Sequence, residues 1–138
     1  SGGQVQRVAL GSCLIMNPDI VVLDECCSQL DPMGSEEIFS IINDLKERGM
    51  TIIIVDHDME RVARIADRVM VLHDSEIMKL EKTTVVFSDK SLREYAGVPD
   101  FTIMGECLEE MNLYHGPLLV REEETVSAVL ASRIEEER

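Results

Sequence analysis

The sequence has no tryptophan, and aromatic residues make up only 4% of its 138 positions. Any core must therefore be aliphatic, drawn from Ile, Val, Leu and Met, which suits an α/β protein. No apolar run reaches 18 residues and no signal peptide is evident, so the expectation is a cytosolic chain that neither crosses a membrane nor carries its own export signal. Bases are scarce, with 13 Lys and Arg against 27 Asp and Glu and a net charge of −14. That balance excludes a broad electrostatic nucleic-acid surface and attraction to anionic lipid, so any phosphate contact has to be local. The four cysteines include the adjacent pair Cys26-Cys27 but no C-x-x-C. They read as reduced thiols filling space, not as a disulfide framework or a metal site, and the eight methionines read as core filler. A chain of 15.5 kDa is one domain at most, able to bury roughly two-thirds of its unfolded surface.

What is present is organised around Ile20-Val21-Val22-Leu23-Asp24-Glu25. Four branched apolar residues in a row suit a parallel strand buried on both faces, and the two carboxylates then emerge at its C-terminal end. In open α/β sheets that edge is where ligands bind. One acid can hold a divalent cation through its waters while the next orients or deprotonates a nucleophilic water. The same residues also read as a strand that simply ends in a polar loop.

Upstream, Ser1-Gly2-Gly3-Gln4 precedes a helical stretch from Val5 to Met16, in which Val5, Val8, Ala9, Ser12, Cys13 and Met16 recur at helical spacing, closed by Asn17-Pro18-Asp19. A serine and two bare glycines at a helix start offer N–H groups and a positive dipole end to a phosphate, or merely an ordinary cap. Downstream, Cys26 to Pro32 is a loop, and Ser35 is the expected N-cap of a helix presenting Ile38, Ile41, Ile42 and Leu45 and stopping at Gly49. Thr51 to Val55 is a second buried strand ending in Asp56-His57-Asp58. A strand, helix, strand unit puts both strand tips on one sheet edge, so His57 is expected beside Asp24 and Glu25. Val69–Leu72 and Ile77–Leu80 read as a hairpin that completes the sheet, with His73 a turn residue.

Taken together, Ser1-Gly2-Gly3-Gln4, the strand ending Asp24-Glu25, Ser28-Gln29-Leu30-Asp31-Pro32 and His57 resemble, in the right order, the second half of an ABC-type ATPase nucleotide-binding domain. The segments Gln6 to Leu10 and Ala66 to Leu72 strengthen the likeness. The resemblance implies a partial P-loop NTPase (RecA-like) α/β fold with a parallel sheet and flanking helices, lacking its N-terminal half. It implies ATP and Mg²⁺ as cofactors. Ser1, Gly2, Gly3 and Gln4 would form the signature motif that contacts ATP held on an opposing subunit. Asp24 would organise Mg²⁺ through water, Glu25 would be the general base and His57 the switch histidine. Ser28, Leu30 and Asp31 would belong to the loop coupling two sites across a dimer. Catalysis would proceed by positioning and charge.

The sequence departs from that family pattern at Cys26-Cys27, where Pro-Thr is usual, at Gln29, where Gly is usual, and at Val5, where a polar residue is usual. No G-x-x-x-x-G-K-[ST] occurs anywhere; Lys90-Ser91 has no glycines before it. The expectation is a truncated chain that, isolated, neither binds ATP tightly nor hydrolyses it.

Residues 1–82 are assigned to the ATPase part and 83–138 to a C-terminal extension. That extension, with Val98-Pro99, a helical stretch near Ile103 to Asn112 carrying Met104, Leu108, Met111 and Leu113, and a last helix from about Glu122 with Val126, Val129 and Leu130, resembles that of energy-coupling-factor transporter ATPases. There it would support dimerisation or regulation. The partners implied are a second ATPase subunit and membrane-embedded transporter subunits, with no nucleic acid, at the cytoplasmic face of the cell membrane. A non-hydrolytic dimerisation or regulatory fragment is the alternative. A soluble ABC ATPase of DNA repair or translation would need long coiled-coil insertions or zinc-hook cysteines, and the sequence has neither.

Overall fold

The computed structural model describes residues 2–27 and 30–128. Ser1, Ser28, Gln29 and residues 129–138, which include Val129 and Leu130 of the expected last helix, lie outside the described residues. The chain divides into two compact units, Ser1–His57 and Asp58–Arg138.

In the first unit, α1 (Gly2–Ile15) leads to β1 (Ile20–Asp24), α2 (Pro32–Glu47) and β2 (Thr51–Val55). β1 and β2 pair in parallel with Ile20 opposite Thr51 and Asp24 opposite Val55, so the two strand ends are level. This is the expected strand, helix, strand unit, and α2 packs against β2. Asn17, in the left-handed region at φ 48°, ends α1, and Gly49 at φ 84° ends α2 with its N–H donating to the Lys46 carbonyl. The core consists of Leu10, Val21, Cys27, Ile38, Phe39, Ile42 and Leu45.

Several expectations change here. Ser35 is not the cap of α2. Asp31 is the cap, its carboxylate accepting from the Gly34 N–H at 2.7 Å, and Pro32 opens the first turn. An Asp-Pro pair is a helix start with a reason: the carboxylate satisfies a free N–H and proline has none to satisfy. Ser35 is buried one turn in. Nor is β1 buried on both faces. Val21 is 6% exposed but Val22 62%, and Ile53 and Val55 across the ladder are about half exposed. The helix α1 begins at Gly2 instead of Val5, and of the residues recurring at helical spacing Val5, Val8 and Met16 are exposed.

In the second unit, α3 (Met59–Ile65), β3 (Arg68–His73), β4 (Glu76–Lys82), α4 (Thr83–Ser88) and α5 (Asp100–Glu110) are followed by a helical stretch at 122–128. Asp58 caps α3 by accepting from the Arg61 N–H at 3.1 Å. β3 and β4 form an antiparallel hairpin whose two turn residues, Asp74 and Ser75, both have positive φ, the conformation a two-residue turn between right-twisted strands demands. Among the described residues this hairpin is a two-stranded sheet of its own and does not extend the β1–β2 pair. His73 ends β3, and its ring lies 4.6 Å from that of Tyr95.

Segments on both sides of the 82/83 boundary share one core in this unit. Ala63, Phe87 and Val120 form a buried cluster, flanked by Met59, Val62, Val69 and Leu118, and Val71, Val86 and Leu92 form another. Gly105 lets α5 approach Leu119, whose side chain would stand 3.1 Å from any Cβ added there. α5 buries Thr102 and Gly105, while Met104 on the helix and Met111 just after it are exposed. Of the cysteines only Cys27 is buried, and Met16, Met33, Met70, Met78, Met104 and Met111 are exposed, so neither residue type serves mainly as filler.

Candidate functional site

The site is built by the level ends of β1 and β2. Asp24 is the last residue of β1, and Glu25 then turns out of the strand in the left-handed region at φ 45°. A non-glycine residue there costs about 1 to 3 kcal/mol, so the surrounding structure must hold it in place. It does so with the next rung of the ladder, the Glu25 N–H donating to the Val55 carbonyl at 2.9 Å. That bond ties the acid tip to the strand carrying Asp56 and His57. Glu25 Oε1 stands 3.3 Å from His57 Nδ1, and both side chains are open to solvent. The expected neighbourhood of Glu25 and His57 is present, with Asp24 one residue before and exposed at the same edge.

The other expected site residues are distributed as follows. Gly2 and Gly3 form the start of α1, and Gln4 is exposed in its first turn. Arg7 of α1 is ion-paired to Glu37 of α2. Leu30 is half-buried, its N–H donating to the Cys27 carbonyl at 3.2 Å, while Asp31 is committed to capping α2. Asp31 thus anchors the start of α2. The Asp-Pro pair at 31 and 32 was the available signal for that cap.

Reasoning from the sequence passed over the environment of Cys26. Its sulfur lies 3.7 Å from that of Cys27. Burial, then the Cys27 sulfur and the Asp56 carboxylate, push the Cys26 thiol up to about 12, so it is protonated at neutral pH.

Chemically, the edge offers a carboxylate paired to an imidazole and a second, exposed carboxylate of hard oxygen donors. Oxygen donors of this kind suit Mg²⁺, which keeps several of its own waters and takes one or two protein carboxylates. No group of three or more potential metal-ligating side chains occurs among the described residues, so a cation here would depend on water and on phosphate for its remaining partners.

No protein-family model matches the chain. Known sequences and structures do. The chain is 43% identical over 126 residues to the energy-coupling factor transporter ATP-binding protein EcfA2 of Streptococcus sanguinis, a match covering 88% of this chain and 45% of that protein. Among solved structures it is similar to cbiO1 from Clostridium perfringens, described as part of the ABC transporter complex cbiONQ. The TM-score there is 0.57 at 31% identity over 80% of this chain and 42% of that one. It is also similar to the ATP-binding cassette MJ0796, solved as a dimer in a post-hydrolysis state with ADP and Pi. That match has a TM-score of 0.54 at 39% identity over 60% of this chain and 36% of that one. Over most of its length the chain is similar to ABC-type ATPases. It spans a little under half the length of the curated relatives it matches first. Several of the curated relatives it matches are ATP-binding subunits of energy-coupling factor transporters. No helix among the described residues is long and apolar enough to cross a membrane.

Proposed function

We propose that this chain is the C-terminal portion of an ATP-binding and ATP-hydrolysing subunit of an energy-coupling-factor type importer. The observation that carries the proposal is the 3.3 Å pairing of Glu25 with His57 at the C-terminal edge of a parallel strand pair. In this reading Glu25 accepts the proton of the attacking water. His57 orients Glu25 and holds the terminal phosphate, and Asp24 holds Mg²⁺ through a water. The cation supplies charge neutralisation on the phosphates. Ser1, Gly2, Gly3 and Gln4 contact the phosphate of a nucleotide bound to a second ATPase subunit, Gly2 to Gln4 lying at the positive end of α1. Ser28, Leu30 and Asp31 couple the two sites, and residues 83–138 support dimerisation. The subunit works at the cytoplasmic face of the membrane, against membrane-embedded partners.

The sequence contains no G-x-x-x-x-G-K-[ST], so the phosphate cradle has to come from other polypeptide. The bare face of the β1–β2 pair, with Ile20, Val22, Ile53 and Val55, is compatible with further structure packing there. The isolated chain is therefore proposed not to bind ATP tightly. That same absence favours a second reading, a non-hydrolytic dimerisation or regulatory piece.

Two measurements decide. Calorimetry on the chain alone should show no sub-millimolar ATP affinity. Combining it with a polypeptide bearing the phosphate loop should give hydrolysis, lost by about 10² to 10⁴-fold in Glu25→Gln, as removal of a general base implies. Absence of hydrolysis in every pairing would support the second reading.

A further inference from the structure

Cys26 and Cys27 are consecutive residues, yet their sulfurs lie on the same side of the chain, 3.7 Å apart in a thiol–thiol contact. Cys26 is half-buried and Cys27 is 2% exposed, so Cys26 is the more accessible residue of the pair. Two outcomes are chemically open to such a pair, and geometry separates them. A disulfide needs the sulfurs at about 2.05 Å and prefers Cα atoms about 4.4 to 6.8 Å apart. Consecutive Cα atoms on a trans peptide are held at about 3.8 Å, and no peptide bond among the described residues is cis. Closure to a disulfide would strain the turn that carries Glu25. Chelation asks for less: two sulfurs bonded at about 2.3 Å to a common centre stand about 3.3 to 3.8 Å apart for angles from 90° to tetrahedral. The observed separation lies within that bite.

The number of donors decides which centre. A tetrahedral divalent metal wants four ligands, and among the described residues no cluster of three potential ligands exists. A pyramidal organoarsenic(III) centre already carries one bond to carbon and needs only two sulfurs.

We propose that Cys26 and Cys27 form a two-thiol site for trivalent organoarsenicals and related soft, thiophilic centres. In the reaction both hydroxyls of R–As(OH)₂ leave as water, each taking one thiol proton, while two As–S bonds replace two As–O bonds with no change of oxidation state. Cys26, the more accessible residue, bonds first, and Cys27 closes the ring from 3.7 Å. Exposed Cys13 and Cys107 serve as internal controls, each a single thiol able to form one As–S bond only. The proposal does not depend on the proposed ATPase role. Its consequence for hydrolysis does, since a ring closed one residue after Glu25 would fix the turn that aims it.

The test is titration of the chain with phenylarsine oxide, read by intact mass and by protection of thiols from iodoacetamide. One arsenical per chain is expected, with peptides containing Cys26 and Cys27 protected together and Cys13 and Cys107 still alkylated. Release should need a dithiol, and an equal concentration of monothiol should leave the adduct in place. Cys26→Ser and Cys27→Ser should each weaken binding by about 100-fold or more, the usual gain from linking two contacts, while Cys13→Ser/Cys107→Ser should leave it unchanged. Should either single serine variant fail to fold, the protection pattern on the unaltered chain still decides. Protection centred on Cys13 or Cys107, or easy release by monothiol, overturns the proposal. Zinc or cadmium binding as tightly as the arsenical would overturn the choice of centre.

Discussion

Val21 and Val22 are consecutive residues of the strand that delivers Asp24, and replacing each with alanine measures which face of β1 is packed. The change deletes two carbons at either position, worth about 1.6 kcal/mol if fully buried. Val21 is 6% exposed, so nearly the whole amount is lost, and the cavity left behind brings the cost to about 2 kcal/mol. Val22 is 62% exposed, and with about two-fifths of its surface covered the same deletion should cost about 0.6 kcal/mol. The loss of strand propensity is common to both and cancels in the comparison. Because the chain forms two compact units, a single global melting curve would mix them. Native-state hydrogen exchange at the β1 and β2 amides reads the first unit directly. Equal costs, or a larger cost at Val22, would refute the assignment of faces. Asp24 shares its face with Val22 by strand alternation, so the placement of the acid edge would fail with it.

Asp31→Ala removes the cap of α2 and should destabilise the first unit by about 1 kcal/mol, with amide exchange accelerated most at Gly34, whose N–H loses its partner. Asp31→Asn should restore most of it. In the second unit, Glu106 accepts from Arg93 at 2.5 Å, and that bond, ahead of the other contacts, holds its carboxyl below the ordinary value of 4.5. A depressed folded value means stability that is present above pH 4.5 and lost as pH falls through the folded value. Glu106→Gln should therefore flatten the acid limb of the melting profile of this unit, and an unchanged limb would assign the acid sensitivity elsewhere. Gly105→Ala should loosen α5 from Leu119, seen as faster exchange in that helix, because the added methyl has only 3.1 Å to the Leu119 side chain.

Local signals in the sequence went a long way. The apolar run at Ile20 to Leu23, the turn chemistry of Gly49, and the five β-favouring residues from Thr51 to Val55 placed two strands and their connecting helix. The constraint that consecutive parallel strands end on one edge is enough to bring His57 to Glu25. Such statements depend on neighbours in the chain and on handedness, and a single sequence carries both.

Tertiary structure decided what covers what. Hydrophobicity at Val22, Ile53, Val5 and Met16 says that burial is favourable but not whether a partner surface is present, and all four are exposed. The choice between Asp31 and Ser35 as cap, the separation of the hairpin from the parallel pair, and the sharing of one core by segments on both sides of residue 82 are also competitions among several contacts at once. The motif order pointed to the family this chain resembles. The 3.3 Å between Glu25 and His57, the left-handed turn at Glu25 and the sulfur contact at Cys26 and Cys27 depend on backbone angles that the packing of α2 and β2 selects, and no local pattern encodes them.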